Sequence, residues 1–398
     1  MTLFSARPGY MTLRRCIALV GALTMLTAGA ATAQTLEAQI QTLMDDFHAE
    51  YGFAGATAAI TLPDGTTASA ATGLADVEAD TPMVPETRML AASIGKSFVA
   101  ATVLSLEAEG TLAGSDLVSA HLGQHDWFER LPNYATMTID DLLRHSAGLP
   151  DHVYDEAFQA ELASRAATGQ DAMPPVDAIA FILDEEPLFP SGTSWSYSDT
   201  GYLLLGLIIE EATGQSYYDL VTARFLRPLA LDATEPSNTR VIDGMAVGYT
   251  LADNPFGLPP RTMDANGRLL WDPAMEWTGG GLVSTSGDLA RWGDALFNGA
   301  AMDGLYAKKM LDGVLVSPDA PGILYGTGVA IYGDTPRGAV YGHGGWVPGY
   351  VSSLRHYADH GVTVAFQLNT DVGIADDSTD LVPALEAALA DLAIEAAQ

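Results

Sequence analysis

The chain has 398 residues, a formal net charge of -32 at pH 7 and one cysteine. A surface this negative repels nucleic acid and anionic membranes, which excludes nucleic acid as a partner. The single thiol excludes a disulfide framework, and the length suits one large domain or two closely packed ones.

Residues 1–33 have the pattern of a signal peptide. Three arginines and no acidic residue precede an apolar run at 16–26, and residues 31–33 read Ala-Thr-Ala, a typical cleavage site. The run is too short to span a membrane, although a short N-terminal anchor is the alternative reading. We therefore expect a periplasmic or secreted protein with no stable membrane span after cleavage. Sec and twin-arginine export both fit the sequence, and cleavage would remove the cysteine.

Beyond residue 33 the chain predicts strands at both ends and helices between them. We expect an α/β (α+β) fold in which residues 34–115 and 280–398 form an antiparallel sheet flanked by helices, and residues 116–279 form an all-helical lobe. A cleft between two such lobes is a usual place for a small-molecule site. The predicted helices are 35–51, 92–109, 139–145, 176–184, 200–213, 216–226, 286–298 and a C-terminal helix; the predicted strands are 55–62, 66–73, 323–332, 338–343, 350–357 and 361–369.

Ser93-Ile94-Gly95-Lys96 opens a predicted helix that is apolar nearly all round and therefore buried. Residues three apart share a helix face, so Lys96 is within reach of Ser93. Burial favours the neutral amine, which can take the proton of a serine nucleophile. Lysine is scarce, with three in the whole chain, and this favours a function for Lys96. The structural alternative is a capping serine followed by a surface lysine.

Two further segments carry groups that suit acyl transfer. Tyr197 precedes an apolar helix, and a nearby cation would help its hydroxyl act as a base or proton shuttle. His343-Gly344-Gly345-Trp346 ends a predicted strand, where glycines leave the backbone open to a ligand. The N–H groups of Ser93 and Trp346 are candidate oxyanion donors. A packed loop tyrosine and a tight turn with a solvated histidine are the structural alternatives.

These three segments, in this order, resemble the serine β-lactamases and penicillin-binding D-alanyl-D-alanine peptidases, whose pattern is S-x-x-K, then Y-x-N, then K-T-G or H-x-G. Segments 138–150, 189–205 and 279–289 are also similar to that family, and the resemblance covers roughly residues 40–395. It points especially to the branch with class C β-lactamases, D-aminopeptidases and related esterases. The fold it implies is β-lactamase/transpeptidase-like, with the single hydrolase domain over 34–398.

The resemblance also implies roles for particular residues. Ser93 would be the acylated nucleophile, Lys96 its partner, and Tyr197 the general base and later the acid. No metal and no organic cofactor is implied, because side chains carry the chemistry. The positions that would contact the substrate are Asp199, His343, Gly344, Gly345 and Trp346.

Two positions depart from the family pattern. Asp199 replaces an asparagine, and its carboxylate would favour protonated Lys96, shift the burden of the base to Tyr197 and repel a substrate carboxylate. His343 and Gly344 replace lysine and threonine, which leaves a mostly neutral ring as donor and removes a hydroxyl. We therefore expect neutral esters or amides, or an amine-bearing substrate drawn to Asp199, in place of penicillins.

The sequence thus predicts a serine hydrolase acting on an ester or amide of a small-molecule or peptide substrate, with its oligomeric state left open. The alternatives are a D-alanyl-D-alanine carboxypeptidase or β-lactamase, and an inactive penicillin-binding-like ligand-binding protein. No G-x-S-x-G sequence occurs, which excludes the nucleophile elbow of the α/β-hydrolases. The pairs His121/His125 and His356/His360 have a metal-ligand spacing but lack an HExxH glutamate, so we interpret them as solvated, and His145 as structural.

Overall fold

The computed structural model describes residues 34–374 and 378–398, so the predicted signal peptide, residues 1–33, lies outside the described residues. Thr35–Gln398 form one compact unit. Within the described residues, every helix is too short or too polar to cross a membrane.

The strands of the large sheet come from both ends of the chain, whereas Glu235–Pro236 form a short strand within 116–279, which was expected to be all-helical. In chain order they are β1 (Gly55–Thr61), β2 (Thr67–Asp76), β3 (Thr81–Pro82), β4 (Met89–Leu90), β5 (Glu235–Pro236), β6 (Leu282–Ser284), β7 (Val314–Leu315), β8 (Ile323–Tyr325), β9 (Ala330–Thr335), β10 (Gly338–Val347), β11 (Tyr350–Tyr357) and β12 (Val362–Leu368). Nine of them form an antiparallel sheet in the order β3-β2-β1-β12-β11-β10-β9-β8-β7, and β4, β6 and β5 form a small second sheet. The predicted fold class is confirmed.

Helices fill the middle of the chain and cover the sheet. They are α1 (Leu36–Tyr51), α2 (Gly95–Ala108), α3 (Ser119–Leu122), α4 (Ile139–Leu143), α5 (Glu156–Thr168), α6 (Pro175–Ile179), α7 (Asp199–Thr213), α8 (Tyr217–Val221), α9 (Ser286–Phe297), α10 (Gly304–Met310) and α11 (Leu381–Ala396). Short 3-10 turns lie at Ala92–Ile94, Phe128–Arg130, His152–Tyr154, Ala180–Ile182, Pro273–Met275 and Trp277–Gly279, and a π-helical turn at Thr222–Leu226.

β1 shows how both faces of the sheet are covered. Ala58 and Ile60 share an apolar cluster with residues of α1 and α11. Thr57 points to the opposite face, where its hydroxyl lies 2.7 Å from that of Ser286 in α9. Because successive side chains of a strand alternate between faces, a sheet with helices on both sides buries every residue of such a strand. All seven residues of β1 are buried.

One predicted strand is two strands in the structure. The segment 323–332 is divided into β8 and β9 by a turn at Gly328, whose φ is +71°. A Cβ at this position would lie 2.6 Å from Cβ of Ala100 and 2.8 Å from the carbonyl oxygen of Lys96. The turn therefore packs directly on α2, and it needs glycine both for its backbone conformation and for this close approach.

The sequence pattern predicted neither α5 nor α10. Helix α5 buries only Phe158 and Leu162, one turn apart, and presents its remaining residues to partly or fully exposed positions. Its ends nevertheless carry ordinary signals, because Asp155 caps the first turn and Gly169 ends the helix in the left-handed conformation.

Candidate active site

The turn that carries Ser93 is strained on its N-terminal side. Ala92 has a φ of +50°, and the 3-10 turn that it begins leads directly into α2. A left-handed conformation costs a residue with a Cβ roughly 1–2 kcal/mol, so neighbouring structure must hold it. Gly95 provides part of that support, because a Cβ there would lie 2.6 Å from the carbonyl oxygen of Gly280.

Strand β10 passes close to the same turn. Ser352 of β11 donates a hydrogen bond to the carbonyl oxygen of Ala91 at 2.8 Å. A Cβ on Gly345 would lie 2.5 Å from that oxygen and 2.2 Å from Oγ of Ser352, so only glycine fits. The strand and the Ser93 turn therefore form two adjacent walls of one cavity.

Lys96 is fully buried beneath Ser93, and its amino group is surrounded by acceptors. Nζ donates to Oδ1 of Asp199, to the carbonyl oxygen of Gly279 and, at 3.3 Å, to Oγ of Ser93. It also lies 5.0 Å from the ring centroid of Tyr197. A carboxylate, a carbonyl and a π-face therefore surround this amino group. The structure thus places Asp199 against Lys96, a contact that the sequence alone left open.

The hydroxyl of Tyr197 is buried and, in the described part of the chain, has no partner at hydrogen-bonding geometry. Burial raises the pKa of this hydroxyl well above its ordinary value, Asp199 raises it further, and the nearby Ser93 hydroxyl lowers it in part. Tyr197 is therefore a neutral phenol in the free protein. Any transfer of a proton to Tyr197 must therefore begin from the phenol.

Both ring nitrogens of His343 are engaged within the protein. Nδ1–H donates to the carbonyl oxygen of Gly344, and Nε2 accepts from the hydroxyl of Tyr325 at 2.8 Å. Burial, followed by the charge of Lys96, lowers the pKa of the ring to about 3, so it is neutral. Contrary to the expectation, His343 has no ring donor left for a substrate.

Gly344 has open space around it. A Cβ there would lie 3.8 Å from the nearest atom, Nη2 of Arg355, whose guanidinium pairs with Glu386 of α11. A Cβ therefore fits at this position without crowding.

Ser93 opens onto a cavity of about 850 Å³. Tyr154, 76% exposed, stands at its rim with Trp346, whose Nε1–H donates to Asp371 at 3.2 Å and whose ring lies 6.0 Å from that of Phe256. Of the residues predicted for the site, Lys96 lies beneath the cavity floor; the others line it, namely Ser93, Tyr197, Asp199, His343, Gly344, Gly345 and Trp346.

Among the described residues that line this cavity, Asp199 and Glu276 carry the formal charges, and none is lysine or arginine. Oε2 of Glu276 is buried with no hydrogen-bond partner within the described ranges. Burial, followed by the charge of Asp199, raises the pKa of Glu276 to about 8. Burial, followed by the charge of Asp199, also raises the pKa of Asp151 to about 7. The cavity floor is therefore short of positive charge.

Sequence reasoning did not find Glu276. It belongs to no motif, and the one available signal was an acidic residue three positions before the glycine run at 279–281, between a methionine and a tryptophan. The two 3-10 turns on either side of it bring its carboxyl to the cavity.

Two other histidines, His145 and His356, have structural contacts. His145 is buried, its Nδ1 accepts the N–H of Ser198 at 3.2 Å, and its ring lies 4.2 Å from that of Tyr197, so it supports the loop that carries the tyrosine. His356 is buried in β11, with Nδ1 2.9 Å from the hydroxyl of Thr363, so the expectation that it is solvated is wrong. Across residues 34–374 and 378–398, no three metal-binding side chains are grouped to hold an ion.

Known proteins with similar sequences and structures form one group. The family model described as Beta-lactamase matches residues 37–389. Penicillin-binding protein 4* of Bacillus subtilis (strain 168) is 30% identical over 310 residues, which cover 75% of this chain but 64% of that protein, less than two thirds of its length. A D-stereospecific amidohydrolase from Streptomyces sp. is 27% identical with a TM-score of 0.72, covering 83% of this chain and 94% of its own. D-amino acid amidase from Ochrobactrum anthropi SV3 is 26% identical with a TM-score of 0.70, covering 83% and 91%.

Proposed function

Because the chain belongs to the beta-lactamase family, we propose that it is a serine hydrolase that cleaves an amide or ester bond through an acyl-enzyme on Ser93. The observation that carries the proposal is the 3.3 Å contact between Nζ of Lys96 and Oγ of Ser93 at the floor of a large cavity. The similar structures named as an amidohydrolase and an amidase support amide cleavage in particular.

In the mechanism we propose, Tyr197 relays a proton during acylation, because its raised pKa keeps it a phenol in the free protein. Oγ of Ser93 attacks the substrate carbonyl and gives its proton to Tyr197 as Tyr197 gives its own proton to the leaving nitrogen or oxygen. The bond to the leaving group breaks and the Ser93 ester forms. Lys96 stabilises the negative charge that grows on Oγ, and the N–H groups of Ser93 and Trp346 would stabilise the charge on the carbonyl oxygen.

Deacylation repeats the same transfers with water as the nucleophile. The water gives a proton to Tyr197 while Tyr197 returns one to Oγ of Ser93, and the acid product leaves. Tyr197 ends each half-reaction as a neutral phenol, which is the state that its raised pKa favours.

The charge of the cavity supports substrates without a carboxylate near the scissile bond. Penicillins and D-alanyl-D-alanine peptides carry one, and no lysine or arginine among the described residues lines the cavity to bind it. Asp199 would repel it. We therefore expect the protein to cleave neutral or amine-bearing esters and amides better than penicillins or D-alanyl-D-alanine peptides.

We also propose that the protein is exported and acts in the periplasm or outside the cell. The support is the arginine-led apolar run and the Ala-Thr-Ala sequence at 31–33. Edman sequencing of the protein recovered from the periplasm or medium should begin at Gln34; a full-length product that stays with the membrane would contradict export.

The first experiment is intact-mass spectrometry of the mature protein and its Ser93→Ala variant after brief incubation with p-nitrophenyl butyrate, a penicillin or a D-alanyl-D-alanine peptide. Product release is followed in parallel. We expect ester turnover that requires Ser93, with little adduct from penicillin.

The other outcomes are as informative. A lasting penicillin adduct on Ser93, or efficient peptide cleavage, would move the protein to the carboxypeptidase or β-lactamase branch. Absence of any Ser93-dependent reaction would contradict the hydrolase proposal and favour a ligand-binding protein.

A further inference from the structure

The carboxylate of Asp371, just after β12, accepts hydrogen bonds from two separate walls of the cavity. Its Oδ2 accepts Nε1–H of Trp346 at 3.2 Å and the N–H of Gly349 at 3.0 Å. Its Oδ1 accepts the N–H of Leu251 at 3.1 Å. One carboxylate therefore joins the end of β10 and its turn to the segment 251–258, which we call the cavity loop.

The position of Asp371 is itself fixed by the protein. The residue is 1% exposed, and its N–H donates to the carbonyl oxygen of Tyr249 at 3.0 Å. The N–H of Tyr249 donates in turn to the carbonyl oxygen of Asn369 at 2.9 Å, which ties both residues to the end of the sheet. Asp371 is therefore a fixed point to which the two walls are attached.

The cavity loop is organised around one buried amide. Nδ2 of Asn254 donates to the carbonyl oxygens of Leu251 and Leu258, at 2.8 and 2.7 Å. Its Oδ1 accepts the N–H of Phe256 at 3.2 Å, and both Phe256 and Leu258 line the cavity. Because Asn254 holds the loop together as a unit, the hydrogen bond from Leu251 to Asp371 helps to set where that unit lies.

Trp346 forms the facing wall. Its ring lies 6.0 Å from that of Phe256, and both rings line the cavity. Trp346 is 36% exposed, so its ring has room to change rotamer unless Nε1–H is held. The separation of the two aromatic walls therefore depends on Asp371, which is buried behind both of them.

We propose that Asp371 is a positioning residue that holds Trp346 and the cavity loop at a fixed separation, and so sets the selectivity for bulky apolar acyl groups. The proposal rests on the hydrolase function proposed above and concerns the same cavity. An apolar group binds more tightly between fixed walls than between mobile ones, because less side-chain freedom is lost on binding. An acetyl group is too small to depend on these walls.

The test compares two esters that differ only in the acyl chain, p-nitrophenyl hexanoate and p-nitrophenyl acetate. The quantity measured is the ratio of their kcat/KM values. Asp371→Ala should lower this ratio by about tenfold, chiefly through a higher KM for the hexanoate, as expected for lost hydrogen bonds. Asp371→Asn keeps one acceptor and should lose less. Asp288→Ala is the matched control, because Asp288 is also 1% exposed but lies in α9, and it should keep the ratio.

A second variant tests the same contact from the side of the tryptophan. Trp346→Phe removes the Nε1–H donor but keeps an aromatic ring at a partly exposed position, so the fold does not depend on it. It should lower the same ratio. If Asp371 acts through Trp346, the double variant Asp371→Asn/Trp346→Phe should lose less than the product of the two single losses. An unchanged ratio in both single variants would overturn the proposal.

A binding measurement separates this proposal from the hydrolase proposal. Calorimetry on the Ser93→Ala variant should show hexananilide binding more tightly than acetanilide, and adding Asp371→Asn should reduce the difference. Ser93-dependent turnover with the same ratio in the enzyme and in Asp371→Asn would overturn the positioning role and leave the hydrolase intact. Turnover of neither ester, with Asp371-dependent binding of hexananilide, would overturn the hydrolase and leave the positioning role. An equal fall of the ratio in Asp288→Ala would trace the effect to lost stability and overturn the positioning role.

Discussion

Two carboxylates of this protein have opposite surroundings, one fully buried and one half-buried. Asp288 in α9, under the sheet, accepts the N–H of Ala233 and the hydroxyl of Thr234, both at 2.9 Å, and pairs with Arg291. Glu276, at the floor of the cavity, has one oxygen with no donor in the described structure and a neighbour of the same charge.

The difference separates a carboxylate that stabilises the fold from one that weakens it. The chain supplies every partner of Asp288, so that carboxylate joins α9 to the loop before β5 and stabilises the protein. Oε2 of Glu276 has no donor among the described residues, so this carboxyl weakens the folded state once it ionises. Substitutions in the two regions should therefore change different measurements.

The largest effect is expected from Lys96→Met in the cavity region. The change keeps the length of the side chain but removes the charge that balances Asp199 and stabilises the Ser93 oxygen. We expect ester turnover to fall by about a thousandfold, roughly 4 kcal/mol of transition-state stabilisation. Lys308→Met, at an exposed position in α10, is the matched control. Turnover within tenfold of the unchanged enzyme would show that the cation is dispensable.

Asp288→Ala should lower stability without changing the KM of any substrate. It leaves the N–H of Ala233 and the hydroxyl of Thr234 buried without an acceptor, and Arg291 without its carboxylate, at a cost of about 3 kcal/mol. Urea unfolding measures the loss, and Asp288→Asn, which keeps one acceptor, should lose less. A change in KM with unaltered stability would remove the distinction between the two regions.

Glu276→Gln should raise stability, whereas Asp288→Ala lowers it, and the gain should appear only at high pH. The pKa of Glu276 is about 8 in the folded protein and about 4.5 in the unfolded chain, so between these values the folded state holds one more proton. Stability is then lost as the pH rises through this range. At pH 9 the glutamine variant should be more stable than the unchanged protein by about 2 kcal/mol, and at pH 5 the two should be equal. Equal stability at both values would show that Glu276 is already compensated.

Tyr325→Phe should give the smallest effect, about 1 kcal/mol of stability, because Nε2 of His343 would lose its hydrogen-bond donor. His343 lies in the cavity wall but is satisfied by the protein, as Asp288 is. Thermal unfolding measures the loss. A sharp rise in substrate affinity would instead show that the freed ring nitrogen is open to ligands.

Most of the fold could be predicted from the sequence because its signals are local. The turn residues between β1 and β2, and the apolar surface of α2, are set by side chains a few positions apart. The spacing of Ser93 and Lys96 is likewise local, since one helical turn brings them together. Helix α5 was not predicted because it buries only two residues, which is too few to give a periodic apolar pattern.

The charge balance of the site could not be predicted in the same way. Asp199, Glu276 and Lys96 come from three separate segments, and only tertiary packing determines that one lysine faces two carboxylates. The sequence identified Asp199 through its place in a motif, but Glu276 has no motif. The same holds for His343, whose ring is removed from substrate contact by Tyr325, a residue that no spacing rule connects to it.

The middle of the sheet is made from the two ends of the chain. Ala56 of β1 is paired with Leu368 of β12, more than three hundred residues later, and β1 has no other neighbour on that side. The central hydrogen-bond ladder therefore cannot close on a ribosome or in a translocation channel while the last strand is still inside. Folding must wait for nearly the whole polypeptide, and loop-closure entropy makes this step slow.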